Sequence, residues 1–210
     1  MALAPRDFAP GLHHVWVNAT GNWAYFLDDV DRMTWIRLLV RTLERHDWRC
    51  LAFCQMTTHV HALVDVSDLS LPRGMQYLNR EYSKDFNVRH ERAGILVRRR
   101  YGSRRIADRT DLLGAYPYVV LNPVREGMCP RAEDWRWSSY ATTIELSRDF
   151  RFVDASMVLG ELGETSASAI SALRELVDGR DRQRVPKGLV RYQIPDMGGR
   201  DASGGRQQAP

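Results

Sequence analysis

The sequence predicts an α+β fold of the ferredoxin-like, split-βαβ type: an antiparallel sheet with helices on one face and an additional, tyrosine-bearing helix. Segments with strand-like alternation and segments with helical spacing follow one another in the order β-α-β-β-α-β, and a further helix follows the last strand. Only two residues separate the second and third strands, which indicates an antiparallel hairpin. The chain has 210 residues, 44% hydrophobic and 27% charged, a composition typical of a globular domain with a sizeable core.

The first three strands and the first helix have the clearest signals. Residues 13–19 alternate and are rich in β-forming side chains, which predicts the first strand. Asp28 and Asp29 precede apolar residues at helical spacing, and acidic side chains stabilise the start of a helix. The second and third strands are predicted over 48–56 and 59–66.

The later elements follow the same rules. Ser70 and Pro72 begin a second helix, because proline is tolerated in the first helical turn. Residues 95–100 indicate a fourth strand, and a third helix runs from about residue 110 to Leu121, where an Asn-Pro pair ends it. The buried stripe of the second helix is predicted to consist of Met75, Leu78, Tyr82 and Phe86.

Three regions are predicted along the chain. Residues 1–145 form the main domain, residues 146–184 a helical extension with a helix over 166–177, and residues 185–210 a flexible tail. The tail is polar and rich in glycine, so it has little apolar surface to bury.

Composition and cysteine use indicate a soluble, cytoplasmic protein. No apolar stretch approaches the roughly 20 residues that span a membrane, and no signal-peptide pattern is present. Cys50, Cys54 and Cys129 are few and odd in number, which favours reduced thiols. Cys50 and Cys54 lie four residues apart in a predicted strand, so both are expected on one face as small core residues. The net charge of +4 is compatible with a polyanionic partner.

Two histidines stand one residue apart in the third predicted strand. Because strand side chains alternate, His59 and His61 share one face, and Val60 and Ala62 are buried behind them. Two imidazoles placed in this way can chelate one metal ion. Two other interpretations stay open: histidines that bind no metal, and a structural zinc site completed by a cysteine.

Tyr118 and Asn122 lie four residues apart at the end of the third helix and therefore point the same way. A tyrosine held beside the histidines could attack a phosphate, although a phenol with a free pKa of about 10 needs assistance at neutral pH. The amide oxygen of Asn122 is a hard ligand suited to magnesium or manganese. Each residue also has an ordinary structural interpretation, as a packed aromatic and as a helix stop.

Five segments, taken together, resemble the REP-associated tyrosine transposases, which are single-tyrosine HUH nucleases related to small insertion-sequence transposases. The resemblance covers residues 13–140 in the correct order and spacing. Any one segment would be weak, but the set is specific. The segments are 56–64, 73–79, 100–101, 118–127 and 134–140.

The resemblance implies a metal-dependent endonuclease and strand transferase that acts on single-stranded DNA, especially on hairpins formed by repetitive extragenic palindromes. It implies that His59 and His61 are metal ligands, that Tyr118 is the nucleophile, and that Asn122 is a further ligand of a magnesium or manganese ion. Cleavage would leave a 5′-phosphotyrosine and a free 3′-hydroxyl. Residues 1–145 would then be the nuclease domain.

Two positions depart from the family pattern. Pro117 stands where a basic residue is usual, and a proline inside a helix removes a hydrogen bond, so the helix is expected to begin or bend just before the tyrosine. Tyr116 is then an alternative nucleophile. Thr57 and Thr58 replace a Pro-Asn pair, which changes the turn and not the ligands.

Basic and aromatic side chains near these segments are predicted to contact DNA. Trp23 and Tyr25 are candidates for stacking on unpaired bases, whereas Trp16 is expected in the core. Phosphate contacts are expected from the second helix and from the arginine-rich segment that follows it. The predicted phosphate contacts are Arg73, Arg80, Lys84, Arg98, Arg100, Arg104 and Arg105.

A second function fits the same motifs. A module that recognises hairpin DNA without cleaving it would use the same surface, and Pro117 could misplace the tyrosine in such a module. The sequence also leaves open whether the protein is a monomer or a homodimer, and whether the tyrosine acts on its own subunit's histidines.

Overall fold

The computed structural model describes residues 8–21, 23–97 and 100–182 and contains one four-stranded antiparallel sheet within them. Its strands are β1 Gly11–Asn18, β2 Trp48–Gln55, β3 His59–Val66 and β4 Gly102–Arg105. They are arranged in the order β2-β3-β1-β4, which confirms the predicted split-βαβ topology. The described helices are α1 Asp29–His46, α2 Leu71–Arg89, α3 Arg109–Val120, α4 Asn122–Arg125, α5 Tyr140–Thr143, α6 Ser156–Gly160 and α7 Ser166–Arg182.

The two faces of the sheet pack against different helices. Val60 and Ala62 of β3 lie in a hydrophobic cluster with side chains of α1 and α2, among them Trp35 and Met75. On the other face, Leu63 packs with residues of α3, α6 and α7. The tyrosine-bearing helix α3 therefore lies across the sheet from α1 and α2.

Aspartate side chains cap the starts of α1 and α3. The Asp28 carboxylate accepts a hydrogen bond from the Asp31 backbone at the start of α1. Asp108 caps α3 in the same way by accepting from the Asp111 amide. Helix α2 begins just after Ser70, and its predicted stripe is buried.

The fourth strand is not where the sequence predicted it. Residues 95–97 are irregular, and β4 begins at Gly102. A Cβ atom at Gly102 would lie 2.0 Å from Trp16 Cε2, so the absence of a side chain lets β4 approach β1. Trp16 is buried, as predicted.

A bulge in β2 overturns the prediction that Cys50 and Cys54 share a face. The register shifts between Cys50 and Ala52, and one extra residue reverses the alternation beyond it. Cys50 consequently packs with α1 and α2, whereas Cys54 packs on the α3 face.

Residues of the 134–140 segment cover the outer edge of β2. The Gln55 amide donates to the Trp137 carbonyl, and the Ser139 amide donates to the Phe53 carbonyl. These bonds satisfy an edge that would otherwise be open to pairing with another chain.

The predicted helical extension contributes α7, whose Leu173 and Val177 belong to the same hydrophobic cluster as α3. The predicted tail, 185–210, lies outside the described residues. No helix in the described part of the chain is long and apolar enough to cross a membrane.

Candidate active site

The predicted pair of histidines lies on the α3 face of β3. The ring centroids of His59 and His61 are 5.0 Å apart, with the planes nearly perpendicular. His61 is buried and His59 half-buried. The alternation of β3 thus places both imidazoles on one face, as predicted.

Helix α3 brings Tyr118 to these histidines. The Tyr118 ring is half-buried, and its centroid lies 5.6 Å from that of His61 in an edge-to-face arrangement. The structure therefore brings Tyr118 beside two histidines that lie far from it in the sequence.

A third histidine, His14 of β1, lies beside His61 and Tyr118. His14 was not identified from the sequence as a residue of the site. His14 pairs with Leu63 and Trp16 pairs with His61, so His14 and His61 are diagonal neighbours on the same face. His14 Nε2 lies 2.9 Å from His61 Nδ1, and the His14 ring centroid lies 5.7 Å from that of Tyr118. The signal for it was the alternation around His14, but only the β1–β3 register shows which histidine it meets.

Burial keeps the histidines of this cluster neutral. It lowers the pKa of His14 to about 3, with a smaller contribution from the positive charge of Arg104. Burial also lowers the pKa of His61 well below its usual value, and the pKa of His59 to a lesser degree. Neutral imidazoles retain the lone pair that a metal ion requires.

Hydrogen bonds occupy one nitrogen of each histidine in the pair. Thr58 Oγ1 lies 3.1 Å from His59 Nδ1, while His61 Nδ1 faces His14. The Nε2 atoms are the ones that remain for an external ligand, which suits a divalent cation.

The side chain of Asn122, the first residue of α4, is held by the backbone at the end of α3. Its Nδ2 donates to the Tyr118 carbonyl at 2.7 Å, which leaves Oδ1 as the only atom that could act as a ligand. Across residues 8–21, 23–97 and 100–182, no three His, Cys, Asp or Glu side chains are grouped to hold a metal. Within the described residues, no cysteine therefore joins His59 and His61 to form the structural zinc site that the sequence left open.

Arg125 is a second residue that the sequence reasoning did not assign. Its guanidinium carbon lies 5.4 Å from the centroid of the Tyr118 ring. Burial raises the pKa of the Tyr118 phenol, and the charge of Arg125 acts in the opposite direction. The phenol is therefore protonated at neutral pH, with a cation beside it.

The alternative nucleophile is inaccessible. Tyr116 is fully buried, and burial raises the pKa of its phenol. Helix α3 continues through Pro117, so of the two alternatives predicted there, a helix that begins just before Tyr118 is wrong, and a bend at Pro117 stays a prediction. Residues two positions apart on a helix point to nearly opposite sides, which explains why Tyr116 is buried while Tyr118 reaches the histidines.

The arginines in and near β4 that were predicted to contact DNA lie in different environments. Arg104 donates to both carboxylate oxygens of Asp111, at 2.9 and 2.6 Å, and this ion pair gives it a structural role. Its contact with DNA remains a prediction. Arg105 pairs with His13 and therefore lies on the opposite face from Arg104. Arg100 is exposed, and Arg98 lies outside the described residues.

The predicted contacts of α2 form one exposed stripe, because residues 73, 80 and 84 are spaced i, i+7 and i+11. This helix covers the face opposite Tyr118, so the structure does not bring the stripe to the histidines. Any contact of Arg73, Arg80 and Lys84 with DNA remains a prediction.

The two aromatic candidates have different environments. Trp23 is 57% exposed, and Arg92 lies over its ring at 4.2 Å. Tyr25 is fully buried between Phe26 and Tyr82, so the prediction that it stacks on a base is wrong.

Comparisons with known proteins agree with the motifs. A curated protein of Haemophilus influenzae, named "Putative REP-associated tyrosine transposase", is 25% identical in an alignment of 111 positions that covers 48% of this chain. The match spans 63% of that relative's length. No protein-family model matches the chain.

One solved structure has the same fold: a REP-associated tyrosine transposase bound to a REP hairpin. It superposes with a TM-score of 0.62 at 14% identity and covers 69% of this chain and 86% of that chain. Sequence similarity and fold together confirm the resemblance to REP-associated tyrosine transposases.

Proposed function

We propose that this protein is a metal-dependent endonuclease and strand transferase that cleaves single-stranded DNA beside a hairpin, through a tyrosine intermediate. The observation that carries the proposal is the packing of the Tyr118 ring against the rings of His61 and His14. The Haemophilus relative and the hairpin-bound homologue support a repetitive palindrome as the DNA partner.

The proposed reaction is a transesterification. Tyr118 Oη attacks the phosphorus, a new phosphotyrosyl bond forms at the 5′ side, and the bond to the 3′-oxygen breaks. The phenol releases one proton and the departing 3′-oxygen gains one, so the step has no net uptake or release of protons. The new ester retains the energy of the broken bond, which allows a later 3′-hydroxyl to rejoin the strand.

His59 and His61 would hold the divalent ion through Nε2, with Asn122 Oδ1 as a further ligand. A magnesium or manganese ion bound there would polarise the oxygens of the scissile phosphate. Arg125, beside the Tyr118 ring, is placed to attract the same phosphate and to stabilise a developing phenolate.

The test is adduct formation with a hairpin oligonucleotide of the repeat type, carrying single-stranded flanks, in magnesium or manganese. Wild-type protein is expected to form a covalent complex that survives denaturing electrophoresis. Tyr118→Phe should form none while binding the hairpin with nearly unchanged affinity, because it loses only the nucleophilic oxygen.

Tyr116→Phe is the matched control and should retain the adduct, since that hydroxyl is buried. Adducts formed by Tyr118→Phe would contradict the assignment of the nucleophile. Hairpin binding without cleavage in either metal would favour the non-cleaving module instead.

A further inference from the structure

We propose that His14 is a positioning residue that holds His61 in the one tautomer able to bind a cation through Nε2. This inference rests on the proposed function, because it takes His61 as a metal ligand. It assigns a role to a residue outside the ligand pair.

The contact is specific and enclosed. His14 Nε2 and His61 Nδ1 are 2.9 Å apart, and both rings are buried, at 0% and 4% exposure. Their planes are tilted by 25°, with ring centroids 5.1 Å apart. Both histidines lie on the central strands of the sheet, so the backbone fixes the spacing.

One hydrogen must lie between these two nitrogens, because two lone pairs at this distance would repel. If His14 Nε2 carries it, His61 accepts at Nδ1, and the hydrogen of the neutral His61 ring then sits on Nε2, where it blocks a metal. If His61 Nδ1 carries it, His61 donates to His14, and His61 Nε2 presents a lone pair. Cation binding at Nε2 therefore requires His14 to accept.

His59 has a corresponding contact with Thr58, and a comparison shows why His14 is a more important partner than Thr58. Thr58 Oγ1 approaches His59 Nδ1, but this hydrogen bond is exposed, and water can replace the hydroxyl. His61 Nδ1 is enclosed, so the loss of His14 leaves a buried N–H group without its acceptor.

The first experiment measures Mn²⁺ binding to the full chain by calorimetry. His14→Ala should weaken binding by about 10- to 100-fold, the effect typical of removing a partner of a metal-bound histidine. His14→Gln should bind closer to wild type, since its amide oxygen can accept from His61. His13→Gln is the matched control, because His13 is equally buried on the same strand but faces the other side and contacts the Ala9 carbonyl.

A His61→Ala variant separates the two proposals. Wild-type binding that His61→Ala abolishes and His14→Ala leaves unchanged would overturn the role of His14 alone. No binding by the wild type would overturn the metal site and the role of His14 together. Thermal unfolding of each variant establishes that it is folded.

A second measurement needs no variant. Nitrogen NMR of the wild-type histidines with Mg²⁺ reports which nitrogen of His61 carries the hydrogen. We expect it on Nδ1 in the loaded protein, and a hydrogen that stays on Nε2 at saturating Mg²⁺ would contradict the proposal.

Discussion

The two faces of the sheet use the same strands for different purposes. On the α1–α2 side, β1 and β3 contribute aliphatic residues such as Val15 and Val60 to an apolar core. On the α3 side, the same strands contribute His14, His59 and His61 beside a tyrosine.

The neighbouring residues His13 and His14 show how sharply the alternation divides the two faces. His13 contacts a backbone carbonyl near the chain start, while His14 meets His61. We therefore expect that substitutions on the α1–α2 face alter stability and that substitutions on the α3 face alter the chemistry. Three changes test this expectation.

The largest expected effect comes from the apolar face. Leu39→Ala in α1 removes a side chain that is 2% exposed, which should lower the free energy of unfolding by about 2–5 kcal/mol. Denaturant unfolding measures this loss. The folded fraction should form adducts at the wild-type rate, and a slower rate per folded molecule would break the separation of the faces.

The next effect comes from the tyrosine side. Arg125→Gln removes the cation beside Tyr118, and we expect adduct formation to slow by on the order of 100-fold with little loss of stability. Single-turnover kinetics give the rate. Arg136→Gln is the matched control, because Arg136 likewise lies over an aromatic ring, that of Trp137 at 4.8 Å, and pairs with Asp29 of α1. Equal slowing by both variants would remove Arg125 from the mechanism.

The smallest effect is a pH dependence of the free energy of unfolding, caused by the buried histidines on the α3 face. In the metal-free protein, burial holds the pKa of His14 at about 3, whereas an unfolded histidine titrates near about 6.5. The unfolded state therefore binds more protons below about pH 6.5, so stability falls as the pH is lowered.

The contribution of one such group begins near pH 6.5 and approaches about 1.4 kcal/mol for each pH unit between about 5.5 and 4. Denaturant unfolding at several pH values measures the slope, and His14→Gln should reduce it. An unchanged slope in that variant would show that His14 is not the buried neutral group described above.

Local sequence patterns were sufficient for most of the fold. The alternation of 59–66, the helix starts at Asp28 and Ser70, and the stripe of α2 all depend on neighbouring residues, and each is confirmed. The misplaced fourth strand and the faces of Cys50 and Cys54 depend on Gly102 and on a bulge, which are effects of strand pairing.

The site divides in the same way. The shared face of His59 and His61 follows from strand period, but His14 becomes part of the site only through the β1–β3 register. The burial of Tyr25 depends on tertiary packing, so its aromatic character alone misassigned it as a stacking residue. The ion pair of Arg104 with Asp111 depends on tertiary packing as well and could not be predicted from a run of basic residues.

The most direct test of the account is to locate the DNA on the protein. Wild-type protein is trapped on a hairpin oligonucleotide with Mg²⁺, digested, and the nucleotide-bearing peptide is sequenced by mass spectrometry. We predict a nucleotide 5′-phosphate linked to Tyr118. A nucleotide on Tyr116 or Tyr140, or cleaved hairpin with no modified peptide, would contradict it.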